Sequence, residues 1–328
     1  MRVLIVKLSS LGDVIQTMPV IEDMKACLPG VTIDWVVEEA FADLVSQAQG
    51  LTRVIACAER RWRKSPFKRE TRQEWAQFWQ TLRETPYDAV IDFQGLIKSA
   101  RIARGASLTP HGFTATYANK SDLCAYEWPV KWLLQKSVPM EKTIHAVARY
   151  RTLAARALGY ESTGVLQRAP IYPLVAAAHE DRAGVMFAHG TTRLDNEWPF
   201  ESWVQLGRRL IEQGETVLLP QANASEADLV QRLAQVLGEH AHVLPRMKLS
   251  DVLSRMANCR SVISVDSGLG HLAVALNLPV VQLFSQPRIE RAGPVGATHQ
   301  CAVGGDHVPS VDEAWSAYLA CSAADGPR

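Results

Sequence analysis

Residues 262–276 read Val262-Ile263-Ser264-Val265-Asp266-Ser267-Gly268-Leu269-Gly270-His271-Leu272-Ala273-Val274-Ala275-Leu276. A short β-branched run gives way to an acid, a hydroxyl and two glycines, and then to a second apolar run. The pattern is a buried strand, a sharp turn and a helix. The first N–H groups of a helix have no partner within it, and the helix dipole adds partial positive charge there. Gly268 lets backbone approach a ligand closely. Such a junction suits a phosphate, with Asp266 placed for a hydroxyl and His271 one turn into the helix.

The same alternation extends outward on both sides. Val3-Leu4-Ile5-Val6 is a continuous apolar run, as a parallel strand covered on both faces requires, and a helix is expected from Asp13 to about Ala26. Ile33–Val37 and Ala89–Asp92 are further strands. In the second half, strands at Val185–Phe187, Thr216–Leu219, Val243–Leu244 and Val280–Leu283 alternate with helices at Phe200–Ile211, Ser225–Leu237 and Leu249–Met256. Two blocks of this repetition predict an α/β protein of two Rossmann-like, doubly wound domains. The expected division is 1–165, a linker at 166–180, a second domain at 181–310, and a C-terminal helix or tail at 311–328 packing back on the first domain. Residues 322–328 are expected to fray. Ligands of open α/β sheets lie beyond the carboxyl ends of the strands. Two sheets facing across a cleft would set residues 7–13 opposite residues 266–271.

Bulk properties narrow the class. In 328 residues the hydrophobic share is 47%, enough for two cores, and a net charge of +1 gives no global attraction to nucleic acid. Six scattered cysteines without metal-ligand spacing favour reduced thiols in the cytosol. The apolar run after Met1-Arg2 is too short for a signal peptide, and no run reaches bilayer length. The expectation is a soluble protein, or one bound only at a membrane surface.

Several motifs carry both a chemical and an ordinary reading. Lys7-Leu8-Ser9-Ser10-Leu11-Gly12-Asp13 is not GxGxxG, so the standard dinucleotide fingerprint is absent and a dehydrogenase or epimerase is disfavoured. Asp13 falls at a helix start, where an acid either caps the helix or, in a cleft, takes a proton from an attacking hydroxyl. His189-Gly190-Thr191-Thr192-Arg193 offers backbone and hydroxyl donors for a phosphate, or a loop with hydroxyl caps. Glu226 complements a helix dipole or binds a ribose diol. Met247 fills a core or packs on a base. The run Arg60-Arg61-Trp62-Arg63-Lys64-Ser65-Pro66-Phe67-Lys68-Arg69 is a solvated face, or a surface for an anionic lipid or glycolipid. Trp128 and Trp132 flank Pro129, which argues against a regular helix there, and at least one of them is expected to pack.

Five blocks together resemble glycosyltransferase family 9, the ADP-heptose:lipopolysaccharide heptosyltransferases. They are Lys7–Val14, Asp34–Glu39, Arg60–Lys64, Asp92–Ala100 and Val265–Leu272. The arginine-rich block is similar to the type I branch rather than type II. The resemblance implies a GT-B fold and an inverting transfer with neither metal nor cofactor. The implied donor is ADP-L-glycero-β-D-manno-heptose. The implied acceptor is a Kdo sugar of Kdo2-lipid A at the cytoplasmic face of the inner membrane. It further implies a monomer in peripheral contact with that membrane and no nucleic-acid partner. Asp13 matches the family's base. Thr191, Thr192, Arg193, Asn196, Glu226, Met247, Asp266, Ser267, Gly268 and His271 fall at donor-binding positions. Ser10, Gly12, Arg60, Arg61, Arg63, Lys64, Gln94 and Lys98 fall on the acceptor side. Asn196 stands where the family commonly has a lysine, and Arg193 is the expected substitute for its charge. Gln221-Ala222 replaces a tryptophan-glycine pair, and Ala118–Asp122 departs from an arginine-glutamate pattern. The alternatives are a divergent, type II-like heptosyltransferase with another acceptor and a nucleotide-sugar-binding protein with weak turnover.

Overall fold

Val3, Leu4, Ile5 and Val6 are all fully buried, which a strand permits only when helices cover both faces of its sheet. The computed structural model describes residues 1–161, 164–174 and 182–324. The chain divides into two units, Met1–Pro173 and the part from Leu174 onward.

The first unit holds a parallel sheet of β1 (Arg2–Val6), β2 (Thr32–Glu38), β3 (Arg53–Cys57), β4 (Tyr87–Asp92), β5 (Leu108–Tyr117) and β6 (Lys136–Val138), in the order β3-β2-β1-β4-β5-β6. The second holds β7 (Val185–Ala188), β8 (Val217–Leu219), β9 (Ala241–Val243), β10 (Ser261–Val265), β11 (Val280–Phe284) and β12 (Gln300–Gly304), in the order β12-β11-β10-β7-β8-β9. Counted within each unit, both sheets have the doubly wound order 3-2-1-4-5-6. The order reverses between β1 and β4 and again between β7 and β10, where Leu4 faces Val90 and Ser264 faces Ala188. Ligands of this topology bind beyond those strand ends.

The strands missed from sequence are β3, β5, β6 and β12, which lie at or near the sheet edges. There one face or one side is wet and the apolar run is broken. Pro110 and Gly112 interrupt β5, whose pairing with β4 shifts register between Tyr87 and Ala89. The helix expected from Asp13 is two helices, Leu11–Thr17 and Pro19–Cys27. Pro19 lacks the N–H that would continue the first and suits the opening turn of the second. Asp23 on that second helix pairs with Arg151 at 2.7 and 3.0 Å, both buried, and Arg151 also donates to the carbonyls of Val165 and Arg168.

The region expected as a linker divides at Pro173. Residues 166–173 belong to the first unit, where Gln49 N–H donates to the Pro173 carbonyl at 2.7 Å, and residues 175–180 lie outside the described residues. Within residues 311–328 the structure describes a helix and where its apolar side chains lie. Val311–Ala324 is a helix whose Ala314, Tyr318 and Cys321 are buried in the second unit's own core with Val281 and Leu283. It lies against β11 and β12 because its apolar stripe covers the second sheet. Helix therefore extends through Ala324 in the stretch expected to fray, and residues 325–328 lie outside the described residues. Trp128 and Trp132 are corrected. They meet edge to face at 4.9 Å, yet 64% and 65% of their surfaces stay exposed, with Trp132 in a single helical turn at Val130–Leu133 and Trp128 just before it. Among the described residues no helix is long and apolar enough to cross a membrane.

Gly270 shows how closely the opening strand–helix junction packs. A Cβ there would collide with Ser264 Oγ of β10 and stand 2.8 Å from Gln282 Nε2 of β11, both side chains being fully buried. Gly270→Ala is therefore expected to destabilise the protein by about 1–3 kcal/mol, measured as a lowered midpoint in denaturant unfolding. An unchanged midpoint would show that the helix can lift off the sheet freely.

Candidate functional site

In the first unit the chain leaves β1 at Lys7, which is buried. Its Nζ donates to the Phe93 carbonyl at 3.3 Å and to the Tyr150 hydroxyl oxygen at 3.2 Å. Lysine can only donate, so the Tyr150 oxygen accepts and its own O–H goes to Asp13 Oδ1 at 2.8 Å. Asp13 Oδ2 accepts the Ser10 hydroxyl at 2.8 Å and the Ser10 N–H at 3.2 Å. One oxygen of Asp13 thus serves the helix start, and the other is held by a tyrosine. Gly12 is buried in the first turn of the same helix.

Gln94 follows β4, the neighbour of β1. Its side-chain carbonyl accepts the N–H groups of Leu8 and Ser9, each at 3.1 Å, so this oxygen fixes the loop leading to Asp13. Asp92 in turn holds the Gln94 turn by accepting the N–H groups of Gln94 and Gly95 at 2.9 and 3.2 Å. Gly95 has φ +72°, and a Cβ there would press on the Tyr117 ring at 3.1 Å, so glycine is required.

The basic block is divided by role. Arg61 is taken up by Glu39 and Glu74, and Trp62 is buried with its Nε1 on Glu74 at 2.8 Å. Arg60 N–H donates to Glu38 at 3.0 Å. Burial raises the pKa of Glu38, and the Arg60 hydrogen bond and the charges of Arg60 and Lys98 oppose the rise, so these two cations share one carboxylate. Arg63 and Lys64 are exposed, as is Phe67 at 82%.

In the second unit Ser267 caps the helix Gly268–Ala275 by accepting the Gly270 N–H. Asp266 follows β10 with its side chain almost buried. Asn196 Nδ2 donates to its Oδ2 at 3.2 Å, His271 Nε2 stands 3.8 Å from its Oδ1, and Arg288 Nε lies 3.6 Å from Oδ2. Asn196, Asp266, Ser267, Gly268 and His271 are thus one cluster. Arg193, the expected substitute for a lysine, is paired within its own loop. Its guanidinium grips both oxygens of Asp195 at 3.0 and 2.6 Å, because an acid two residues away in an exposed loop is the nearest partner. Thr191 Oγ1 accepts the Arg193 N–H at 3.3 Å, and Thr192 is exposed beside it. Trp198 anchors this loop, with Nε1 on the Pro309 carbonyl at 2.7 Å and its ring against Trp203 at 4.9 Å.

Glu226 does what an acid at a helix start does. It accepts the Ala222 N–H and the Asn223 amide, each at 2.7 Å, while its own N–H meets Asn223 Oδ1 at 3.0 Å. The carboxylate also stands against Gly190, where a Cβ would come within 2.8 Å of it, so it reaches the end of β7. His189 Nε2 meets the Pro220 carbonyl at 3.0 Å, and burial lowers its pKa. Met247 is half-buried four residues beyond β9. Among the described residues no group of three or more His, Cys, Asp or Glu side chains is assembled to hold a metal ion.

Residues 75–314 match the family model for glycosyltransferase family 9 (heptosyltransferase). The chain belongs to this family. It is 40% identical over 311 residues to lipopolysaccharide heptosyltransferase 1 of Pseudomonas aeruginosa, covering 93% of this chain and 84% of that one. Among solved structures it is similar to the E. coli heptosyltransferase WaaC with ADP, at TM-score 0.85 and 35% identity over 96% of this chain and 98% of that one. The same enzyme with ADP-2-deoxy-2-fluoro heptose superposes at TM-score 0.82, with 35% identity and the same coverage. This chain is therefore a glycosyltransferase, and its two sheets are those of the GT-B fold.

Against that family background, two side chains in the clusters went unassigned from sequence. Tyr150 lies on the helix Ala146–Leu158, 137 residues from Asp13, and no local pattern marks it. Arg288 lies four residues beyond β11 in Ser285-Gln286-Pro287-Arg288, where a cation just past a strand end was the available signal.

The acid beneath the Gln94 turn gives a pH signature. Burial lifts the pKa of Asp92 from 3.8 to about 6, against the lowering effect of Ser99, Gln94 and Gly95. A folded-state pKa above the unfolded one means that the fold favours the protonated acid. Its contribution is complete below about pH 4 and is lost as pH rises through about 6. Asp92→Asn is expected to gain on the wild-type protein by up to roughly 3 kcal/mol from about pH 4 to pH 7, measured by urea unfolding. A difference independent of pH would rule out this titration.

Proposed function

We propose that this glycosyltransferase moves L-glycero-D-manno-heptose from ADP-heptose to a Kdo sugar of Kdo2-lipid A, with inversion at the anomeric carbon. Support comes from the lipopolysaccharide heptosyltransferase name of its relative and from the ADP and ADP-fluoroheptose of the similar solved structures. The observation that carries the mechanism is the Asp13 carboxylate, gripped by the Tyr150 and Ser10 hydroxyls at a strand end.

In this reading Asp13 takes the proton of a Kdo hydroxyl as its oxygen bonds to the anomeric carbon of the heptose. The bond from that carbon to the diphosphate oxygen breaks on the opposite face, and its electron pair leaves with ADP. Developing charge on the diphosphate is met by the helix start at Gly268 and by donors of Thr191 and Thr192. Glu226 and Met247 serve the ribose and the base. Arg60, Arg63, Lys64 and Lys98 meet the acidic sugars and phosphates of the acceptor. The exposed Phe67, Trp128 and Trp132 suit work at the inner face of the inner membrane, since indoles favour a membrane–water boundary.

ADP release from ADP-heptose, with and without Kdo2-lipid A, tests the reaction. No acceptor-dependent ADP would leave a nucleotide-sugar-binding protein, and preference for an acceptor already carrying heptose would move the chain to the type II reaction. Asp13→Asn is expected to lower kcat by about 10²–10⁴-fold with ADP affinity nearly unchanged, and near-normal turnover would overturn the base assignment. Tyr150→Phe is expected to lower kcat about tenfold or more while the KM for ADP-heptose stays within about twofold. A fall in donor affinity alone would contradict its role in aiming Asp13.

A further inference from the structure

Three neighbouring strand ends of the second sheet deliver one residue each to the same place. Asn196 follows β7, Asp266 follows β10 and Arg288 follows β11. The Asp266 side chain is 9% exposed and that of Arg288 17%, with Arg288 Nε 3.6 Å and Asn196 Nδ2 3.2 Å from the same carboxylate oxygen. The loops are tied together, since Gln286 Nε2 donates to the Asp195 carbonyl at 3.4 Å. The charge of Arg288 also reaches Asp195, whose pKa it helps to lower after the larger effect of Arg193.

This arrangement poses an electrostatic problem. The start of the helix Gly268–Ala275 favours an anion, but a nearly buried carboxylate stands at its mouth and repels one. Asn196 is neutral and cannot cancel that charge. Its Oδ1, on a side chain 98% withdrawn from solvent, has no hydrogen-bond partner among the described residues and accepts a proton donor rather than a phosphate oxygen. Arg193 is paired with Asp195 in the exposed loop and feels Asp266 only through its charge. Arg288 supplies a permanent cation beside Asp266, and a guanidinium carries five donors, enough to serve a carboxylate and a phosphate together.

We infer that Arg288 is a donor-binding residue that recognises the diphosphate of the nucleotide-sugar, balancing Asp266 while Asn196 Oδ1 accepts from a ligand hydroxyl. The inference rests on the ADP-sugar reading above.

Calorimetric titration of the full-length chain with ADP and with adenosine separates diphosphate recognition from base binding. Wild-type protein is expected to bind ADP well above adenosine. Arg288→Ala is expected to weaken ADP by about ten- to a hundredfold and to leave adenosine within about twofold, while Arg288→Lys keeps most of the preference. Asn196→Lys added to Arg288→Ala is expected to restore ADP binding, because an ammonium at 196 meets the same Asp266 oxygen. If Arg288→Ala does not fold, Arg288→Gln must show the same selective loss. An ADP-to-adenosine ratio unchanged by a folded neutral variant, or a wild-type protein without the preference, overturns the inference. Wild-type protein that binds ADP with this dependence on Arg288 but transfers no heptose would overturn the functional reading and leave the role of Arg288 standing.

Discussion

A parallel strand buried on both faces has almost no place for a charged side chain except beyond its last residue. In both units this constraint sends the candidate site residues to the carboxyl ends of the strands. Asp13 comes after β1, Gln94 after β4, Glu226 after β8, Asp266 after β10 and Arg288 after β11. The reversal of strand order then opens each sheet at its centre, so the loops nearest the reversal are the ones with room for a ligand. The glycines follow from the same packing. Gly270 is small because helix and sheet meet there, and Gly95 is small because its turn must hand Gln94 back to the β1 loop.

Where burial was complete, sequence reading found the elements. β1, β4, β7, β10 and β11 all announce themselves as apolar runs. β5 and β12 do not, because strands toward a sheet edge mix exposed and buried positions. For the site, residues at strand ends were recognisable by type and place, but their partners were not. The hydroxyl on Asp13 arrives from a helix 137 positions away, and the cation on Asp266 from the neighbouring strand. Arg193 shows the opposite case, a side chain whose partner is local. A partner two residues away at Asp195 outcompeted the more distant carboxylate, and nothing in the residue types ranks those two choices.

Like charges in one run are put to unlike uses. Arg61 and Trp62 brace the first unit through Glu39 and Glu74, whereas the adjacent Arg63 and Lys64 stand in solvent. A count of basic residues therefore overstates the charge available to an acceptor. Exposed cations attract anions at long range but are screened by salt, and a guanidinium already paired contributes little to that field.

The Lys7–Tyr150–Asp13 chain of hydrogen bonds bears on how the enzyme can be redesigned. Under the role proposed for Asp13, the loop at residues 8–13 is the obvious stretch to randomise in search of new acceptors. Any such library would be read against a fixed phenol and a fixed buried ammonium, which accept few positions for the carboxylate. Libraries that vary residues 7 and 150 together with the loop can shift the position of the carboxylate. Those confined to the loop will mostly return the geometry they started from.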